Sequence, residues 1–487
     1  MSFSASNLFE HARLYLALMT AHGVAKLIRL LGKGTATTLP GRLALRLQPR
    51  LLPMLMHLPK HASHVSSPSP APPFNEPTLL VTGTNGKTTT ASLLATLLQP
   101  KYPRVLHNQL GANMLTGIAT CYALATSGWQ PRKNHDASVI ECDEAYVRHV
   151  MHGANFNGML VTNLFRDQLD RYGELDTTAR FISEGIPHLQ GSLVLNADDP
   201  LVTQLKQHHH GETLFFGLDP SCATAYPSEH HAVPFPQELS ICPTCSEPLV
   251  YTQRSLSHLG HYRCPHGHFE RPNPQVEALI LEQTPLQSRL LITALSFVPQ
   301  PFELTVPLSG VYNIYNVVGA VAMALKLGIQ PHQLQQALLG YHPTFGRAER
   351  LFVQGKPVTV LLIKNPAGAT EVIRLVANDP KARLCVLLND NDADGRDVSW
   401  IWDTAFEDLL QHETLAHKPL FVGGKRCHDM ANRLRYAGIP AEQLIAESHT
   451  KPLLQQALTS VAEDETLYVL PTYTVLLELR TLWSSFN

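Results

Sequence analysis

No apolar run in this 487-residue chain approaches the roughly 20 residues that a membrane-spanning helix requires. No small-residue cleavage site follows an apolar stretch near its start, so a soluble, cytoplasmic protein is expected. Cysteine is scarce. Eight scattered residues cannot make a disulfide scaffold at this length, and two of them form a C-x-x-C pair that points to metal in a reducing compartment. A charge excess of either sign is also lacking. With 38 Lys and Arg against 40 Asp and Glu, the formal charge is −2, which removes the basic field that draws nucleic acid. Acid is nearly absent from residues 1–60, where Glu10 stands alone.

What is present is apolar and abundant. Hydrophobic residues make up 44% of the chain and charged ones 16%, enough for large cores in two or three domains. Residues 1–60, with "LFEHARLYLALMTAHGVAKLIRLLGKG", read as a basic helical segment that packs on the body. Its Lys26, Arg29, Lys33, Arg42, Arg46 and Arg50 would also suit the inner face of an anionic membrane. A Pro/Ser-rich linker is expected at 61–77, a central domain at 78–345 and a C-terminal α/β domain at 346–487.

"TLLVTGTNGKTTTASLLATLL" (78–98) is an apolar β-type run, a Gly-rich turn and a helical pattern. In that order, the backbone N–H groups of Thr84, Asn85, Gly86, Lys87, Thr88 and Thr89 would cradle phosphates at a helix N-terminus. Lys87 would reach the terminal phosphates, and the Thr88 hydroxyl would ligate Mg²⁺. "ASVIECDEAYV" (137–147) ends in acid, and Glu141 is the expected Mg²⁺ carboxylate at the exit of a neighbouring strand. "GMLVTNLFRDQLDRYGELD" and "GSLVLNADDPLV" repeat the strand and acidic-exit pattern, which predicts a parallel α/β sheet with its crevice at the strand C-termini.

"GTNGKTTT", "NLFRDQLDRYGE", "LNADDP", "GVYNIYNVVGA" and "FGRAER", in that order, resemble the ATP-dependent Mur ligase family. The resemblance implies that ATP is the cofactor, that Asn316 lies against the adenine and that Arg347 approaches the phosphates. Where ordinary members carry His between two loop aspartates, this chain has Gln168 and Leu169 between Asp167 and Asp170.

"ICPTCSEPLVYTQRSLSHLGHYRCPHGHFE" (241–270) interrupts that body. Cys242 and Cys245 form one knuckle, and Cys264 with His266, or alternatively His268, forms the other, a spacing suited to structural Zn²⁺ in a ribbon. A Mur ligase body with this insert, followed by "IKNPAGATEVI" and "DADGRDVSWIWD", resembles the MurT family, the synthetase subunits of lipid II isoglutaminyl synthase. That resemblance implies amidation of the D-glutamate α-carboxylate in the lipid II stem peptide through an acyl-phosphate. It also implies a GatD-type glutaminase partner, with Asp397 of this chain as the acid of the partner's catalytic triad. A stand-alone amino-acid ligase of the Mur or folylpolyglutamate type is the rival reading.

Overall fold

The structure, a computed structural model, describes residues 5–32, 36–58, 76–108, 112–165, 175–225, 241–284, 287–342, 347–411, 418–484 and 486. The linker expected at 61–77 falls almost wholly outside these residues, as does the Asp167–Asp170 loop. Three helices open the chain: Ala5–Leu30, Leu39–Leu47 and Leu51–Met56. Leu14, Ala17, Leu18, Ala21 and Ala25 recur at helical spacing on the first and are buried against the second helix and against the helix Leu115–Leu124.

The body follows as β1 (Thr78–Thr82), β2 (Val105–His107), a small hairpin of β3 (Thr126–Ser127) and β4 (Gln130–Lys133), β5 (Ala137–Glu141) and β6 (Gly158–Val161). Next come β7 (Ser192–Asn196), β8 (Thr213–Leu218), a hairpin of β9 (Val250–Leu256) and β10 (Leu259–Arg263), then β11 (Val276–Gln283), β12 (Ser288–Thr293) and β13 (Phe302–Val306). Nine of these form one sheet in the order β13-β12-β11-β8-β7-β6-β1-β5-β2. It is parallel from β2 to β11, and β12 and β13 close it in antiparallel fashion.

Its central strands are buried on both faces, so they read in the sequence as unbroken apolar runs. Alternation sorts their side chains between two cores. Leu79, Val81 and Val139 face the helices Lys87–Leu98 and Val311–Lys326, whereas Leu80 and Ile140 face the N-terminal helices. The chain leaves β1 toward β2 and β5 on one side and returns to β6 on the other. The C-terminal end of β1 is therefore the switch point where a ligand crevice opens.

A second sheet contains β14 (Arg347–Val353), β15 (Lys356–Leu361), β16 (Ala382–Leu387), β17 (Leu420–Gly423), β18 (Leu444–Glu447) and β19 (Thr466–Pro471), in the order β14-β15-β19-β16-β17-β18. The sequence shows four apolar runs here; the described residues form six strands. The run 351–363 is split by a tight turn in which Gln354 and Gly355 both take positive φ, so β14 and β15 form an antiparallel hairpin. The remaining pairings are parallel.

Candidate functional site

Between β1 and the helix Lys87–Leu98 the chain turns through Gly83 and Gly86, both at positive φ. A Cβ on Gly86 would collide with the Asn316 side chain, and one on Gly83 with Thr162, so only glycine lets this loop lie so close to its neighbours. The loop is fixed before any ligand arrives. Asn163 accepts from the Thr84 N–H through its carbonyl and from the Asn85 N–H through Oδ1, both at 2.8 Å, and the Thr162 hydroxyl donates to the Asn85 carbonyl at 2.8 Å. Asn163 carries no sequence signal beyond its place at a strand exit.

Lys87 is buried, and its Nζ donates to the Gly83 carbonyl at 2.6 Å and to both Glu144 carboxylate oxygens at 3.0 Å. The acid facing the lysine is therefore Glu144, one turn beyond the strand. Glu141, at the end of β5, is also buried. Its Oε1 accepts from Asn113 Nδ2 at 3.2 Å, and its Oε2 has no hydrogen-bond partner. A buried carboxylate oxygen without a partner is costly unless something binds it, and a hard divalent cation fits that role.

The second sheet supplies the opposite wall. Asn365 Nδ2 donates to Asn85 Oδ1 at 2.8 Å, and Lys364 Nζ to the Thr84 carbonyl at 3.4 Å. Asn365 also caps the helix Pro366–Ala377 through Gly368 N–H, which locks its rotamer. The resulting cleft is lined by Gly86, Thr89, Tyr315, Asn316, Leu256 and Leu259. Thr84 is buried beside it, and Thr88 is part-exposed at the helix start. Arg347 begins β14, and its side chain lies outside the described residues.

In the cysteine insert, Cys242, Cys245, Cys264 and His268 bring one ligand atom each to within 4.8 Å of one another. Tetrahedral zinc with ligands at about 2.3 Å spaces them about 3.7 Å apart. Cys245 Sγ lies 3.6 Å from Cys264 Sγ, and His268 Nδ1 lies 4.0 Å from Cys264 Sγ. Of the two candidate histidines, it is His268, the alternative, that lies beside the sulfurs. His266 meets the Cys264 sulfur through its backbone N–H, at 3.4 Å. Burial raises the Cys242 thiol, but the N–H groups of Cys245 and Thr244 and the neighbouring sulfurs outweigh it and bring the pKa to about 7.

Asp397 stands exposed on the loop after β16, where Ser399 N–H donates to its Oδ1 at 2.8 Å. That backbone bond and the Ser399 hydroxyl hold its carboxyl below the usual aspartate range. The neighbouring acids serve the loop. Asp394 accepts from Thr474 N–H at 2.7 Å and from Asn391 N–H at 3.2 Å, Asp392 pairs with Arg396 and Asp390 with Arg426. Trp400 packs into the core of this domain, whereas Trp402 is exposed, edge-on to Tyr436.

A glycine-rich loop at the switch point of a parallel sheet, with a second α/β domain packed against it, is the arrangement of the Mur ligase class. Residues 81–247 match the Mur ligase middle domain, and residues 362–476 match the MurT ligase C-terminal domain. Among solved structures, a pseudomurein peptide ligase type C from Methanothermus fervidus superimposes with a TM-score of 0.61 at 20% identity, over 85% of this chain and 79% of that one. MurF ligase from Thermotoga maritima, solved in complex with ADP, gives 0.56 at 14% identity over 85% and 80%. The lipid II isoglutaminyl synthase (glutamine-hydrolyzing) subunit MurT of Streptococcus pneumoniae is 34% identical over 457 residues, 93% of each chain. The chain belongs to the MurT family, and it is a ligase.

Proposed function

We propose that the chain amidates the α-carboxylate of D-glutamate in the lipid II stem peptide, using ATP and ammonia delivered by a GatD-type glutaminase subunit. The observation that carries this is the cleft itself. A preformed phosphate loop with Lys87 faces a second domain through Asn85 and Asn365, as a ligase that must shield a labile intermediate requires. MgATP would lie on residues Thr84 to Thr89, with Asn316 assigned to the base and Arg347 to the phosphates. Thr88 and Glu141 would hold Mg²⁺, which neutralises charge on the phosphate oxygens. Lys87 exchanges its contact with Glu144 for the terminal phosphates. The substrate carboxylate oxygen takes the γ-phosphoryl group, giving an acyl-phosphate and ADP. Ammonia then adds to the carbonyl carbon, phosphate leaves with the C–O bonding pair, and a proton is lost from nitrogen.

At neutral pH free ammonia is mostly protonated to the non-nucleophilic ammonium ion, so delivery from a glutaminase serves the reaction better than the free pool. Burial raises the thiols of Cys121 to about 12 and Cys222 to about 11, and raises those of Cys142, Cys385 and Cys427, so none is poised as a glutaminase thiolate. A partner supplying Cys and His, with Asp397 completing the triad, accounts for that. The test is to co-purify the chain with a glutaminase subunit, supply lipid II, ATP and either glutamine or ammonium, and weigh the muropeptide. Amide formation supports the proposal; incorporation of an amino acid would replace it with the stand-alone ligase.

The insert is assigned one structural Zn²⁺, held by Cys242, Cys245, Cys264 and His268, with four protein ligands and no open position. Metal analysis should give about one zinc per chain, and Cys264→Ser should lose it together with the insert's protection from proteolysis. Zinc retained in full by that variant would reject the ligand set.

We place the protein in the cytoplasm against the inner membrane face. No helix of the described residues is long and apolar enough to cross a membrane. The first helix nevertheless exposes Phe9, Leu16, Met19, Leu27 and Leu30 along one stripe, flanked by Arg13 and exposed Lys26, with exposed Trp129 beside it. An apolar stripe with one-signed flanks fits anionic lipid. Vesicles containing phosphatidylglycerol should sediment the protein, neutral vesicles should not, and Leu16→Glu with Leu27→Glu should release it. Equal sedimentation by both vesicle types would dismiss this placement.

A further inference from the structure

The cysteine insert has a second end, and that end is buried. A hairpin tip is ordinarily a solvent-exposed turn. In β9 and β10 the exposed residues are Val250, Thr252, Arg254 and Arg263 along the strands, while Leu256, His258 and Leu259 at the tip are 7%, 2% and 0% exposed. The tip is fastened on several sides. The Ser255 and Tyr315 hydroxyls are hydrogen-bonded to each other, and Tyr315 donates to Asp198 Oδ2 at 2.6 Å. Gly260 N–H donates to the Asp198 carbonyl at 2.9 Å, and the His258 ring meets Phe165 edge-on at 4.7 Å. Leu256 and Leu259 belong to the core that includes the helix Val311–Lys326, and both line the cleft with Phe165 and Tyr315.

These contacts bring apolar carbon from the insert into the wall of the same cleft that the phosphate loop lines. Asn85, Gly86 and Thr89 offer polar groups and backbone suited to phosphates, whereas the hairpin tip offers the leucines Leu256 and Leu259, suited to the flat face of a heterocycle. Asn316 lines the cleft with them. We infer that the tip of the cysteine-insert hairpin is the base-side wall of the nucleotide site, with Leu256 and Leu259 packing against the purine. This rests on the cleft being the ATP site, as proposed above. It gives the insert a part in nucleotide recognition that follows from its tip and not from its metal.

The experiment compares MgATP with inorganic tripolyphosphate, which offers the same phosphates and no base, by calorimetric titration of the full chain. Leu256→Ala and Leu259→Ala should each weaken MgATP about tenfold, for lost apolar contact, and leave tripolyphosphate unchanged. Leu256, at the cleft edge, serves where Leu259→Ala does not fold. Equal MgATP affinity in the folded variants and the wild type would overturn the inference, and so would parallel loss of both ligands, since that marks a general collapse of the site. Failure of the wild type to bind either ligand would instead remove the ATP-site reading beneath it.

Discussion

Replacing Lys87 by methionine is expected to lower ATP-dependent amidation on the order of 10³-fold, because a positioned cation at the transferring phosphoryl group is worth that much where water is excluded. The same change should destabilise the protein by about 3 kcal/mol. Lys87 and Glu144 leave only 10% and 7% of their side chains exposed, so removing the cation strands a buried carboxylate. The two effects separate in a second variant. Lys87→Met combined with Glu144→Gln replaces the pair by neutral groups of similar size, so thermal stability should return to near the starting value while activity stays lost. Thermal unfolding read beside ATP turnover makes the comparison. Activity that returns with stability would mean Lys87 acts only as a structural cation, and the phosphate-loop assignment would go with it.

The sequence carries much of the sheet. β1, β5, β6 and β7 are unbroken apolar runs with polar exits because both of their faces are covered, and burial leaves a pattern that needs no partner to be read. The hairpin of β14 and β15 is harder, since Gln354-Gly355 is a weaker turn signal than Asn-Gly. Within the site, local chemistry was legible and pairing was not. Glu141 and Glu144 both stand at a strand exit, but which one meets Lys87 depends on the direction of a single turn after β5. His266 and His268 flank one glycine, and only the geometry of that turn brings His268 to the sulfurs. The "NPAG" turn is visible as a strand exit, yet its contact with the phosphate loop joins residues 280 apart. Leu256 and Leu259 look like ordinary strand residues; their value comes from where the hairpin tip lands.

Asp397→Asn should abolish glutamine-driven amidation, with a loss on the order of 10⁴, the scale expected when the acid that orients a catalytic imidazole becomes an amide. Ammonium-driven amidation by the same complex should stay within about twofold of the parent. The structure supports a clean comparison. Asp397 is exposed, and an asparagine Oδ1 can still accept from Ser399 N–H, so neither the loop nor the core needs the charge. The loop's rigidity comes instead from Asp394, Asn391 and Thr474, which anchor it to the helix Tyr473–Trp483. What the substitution removes is an exposed carboxylate held below the usual aspartate range by its bonds to Ser399. Equal loss with glutamine and with ammonium, while the complex still assembles, would place Asp397 in the ligase reaction and deny it the triad. Loss of assembly would make this face a docking surface whose acid has no catalytic part.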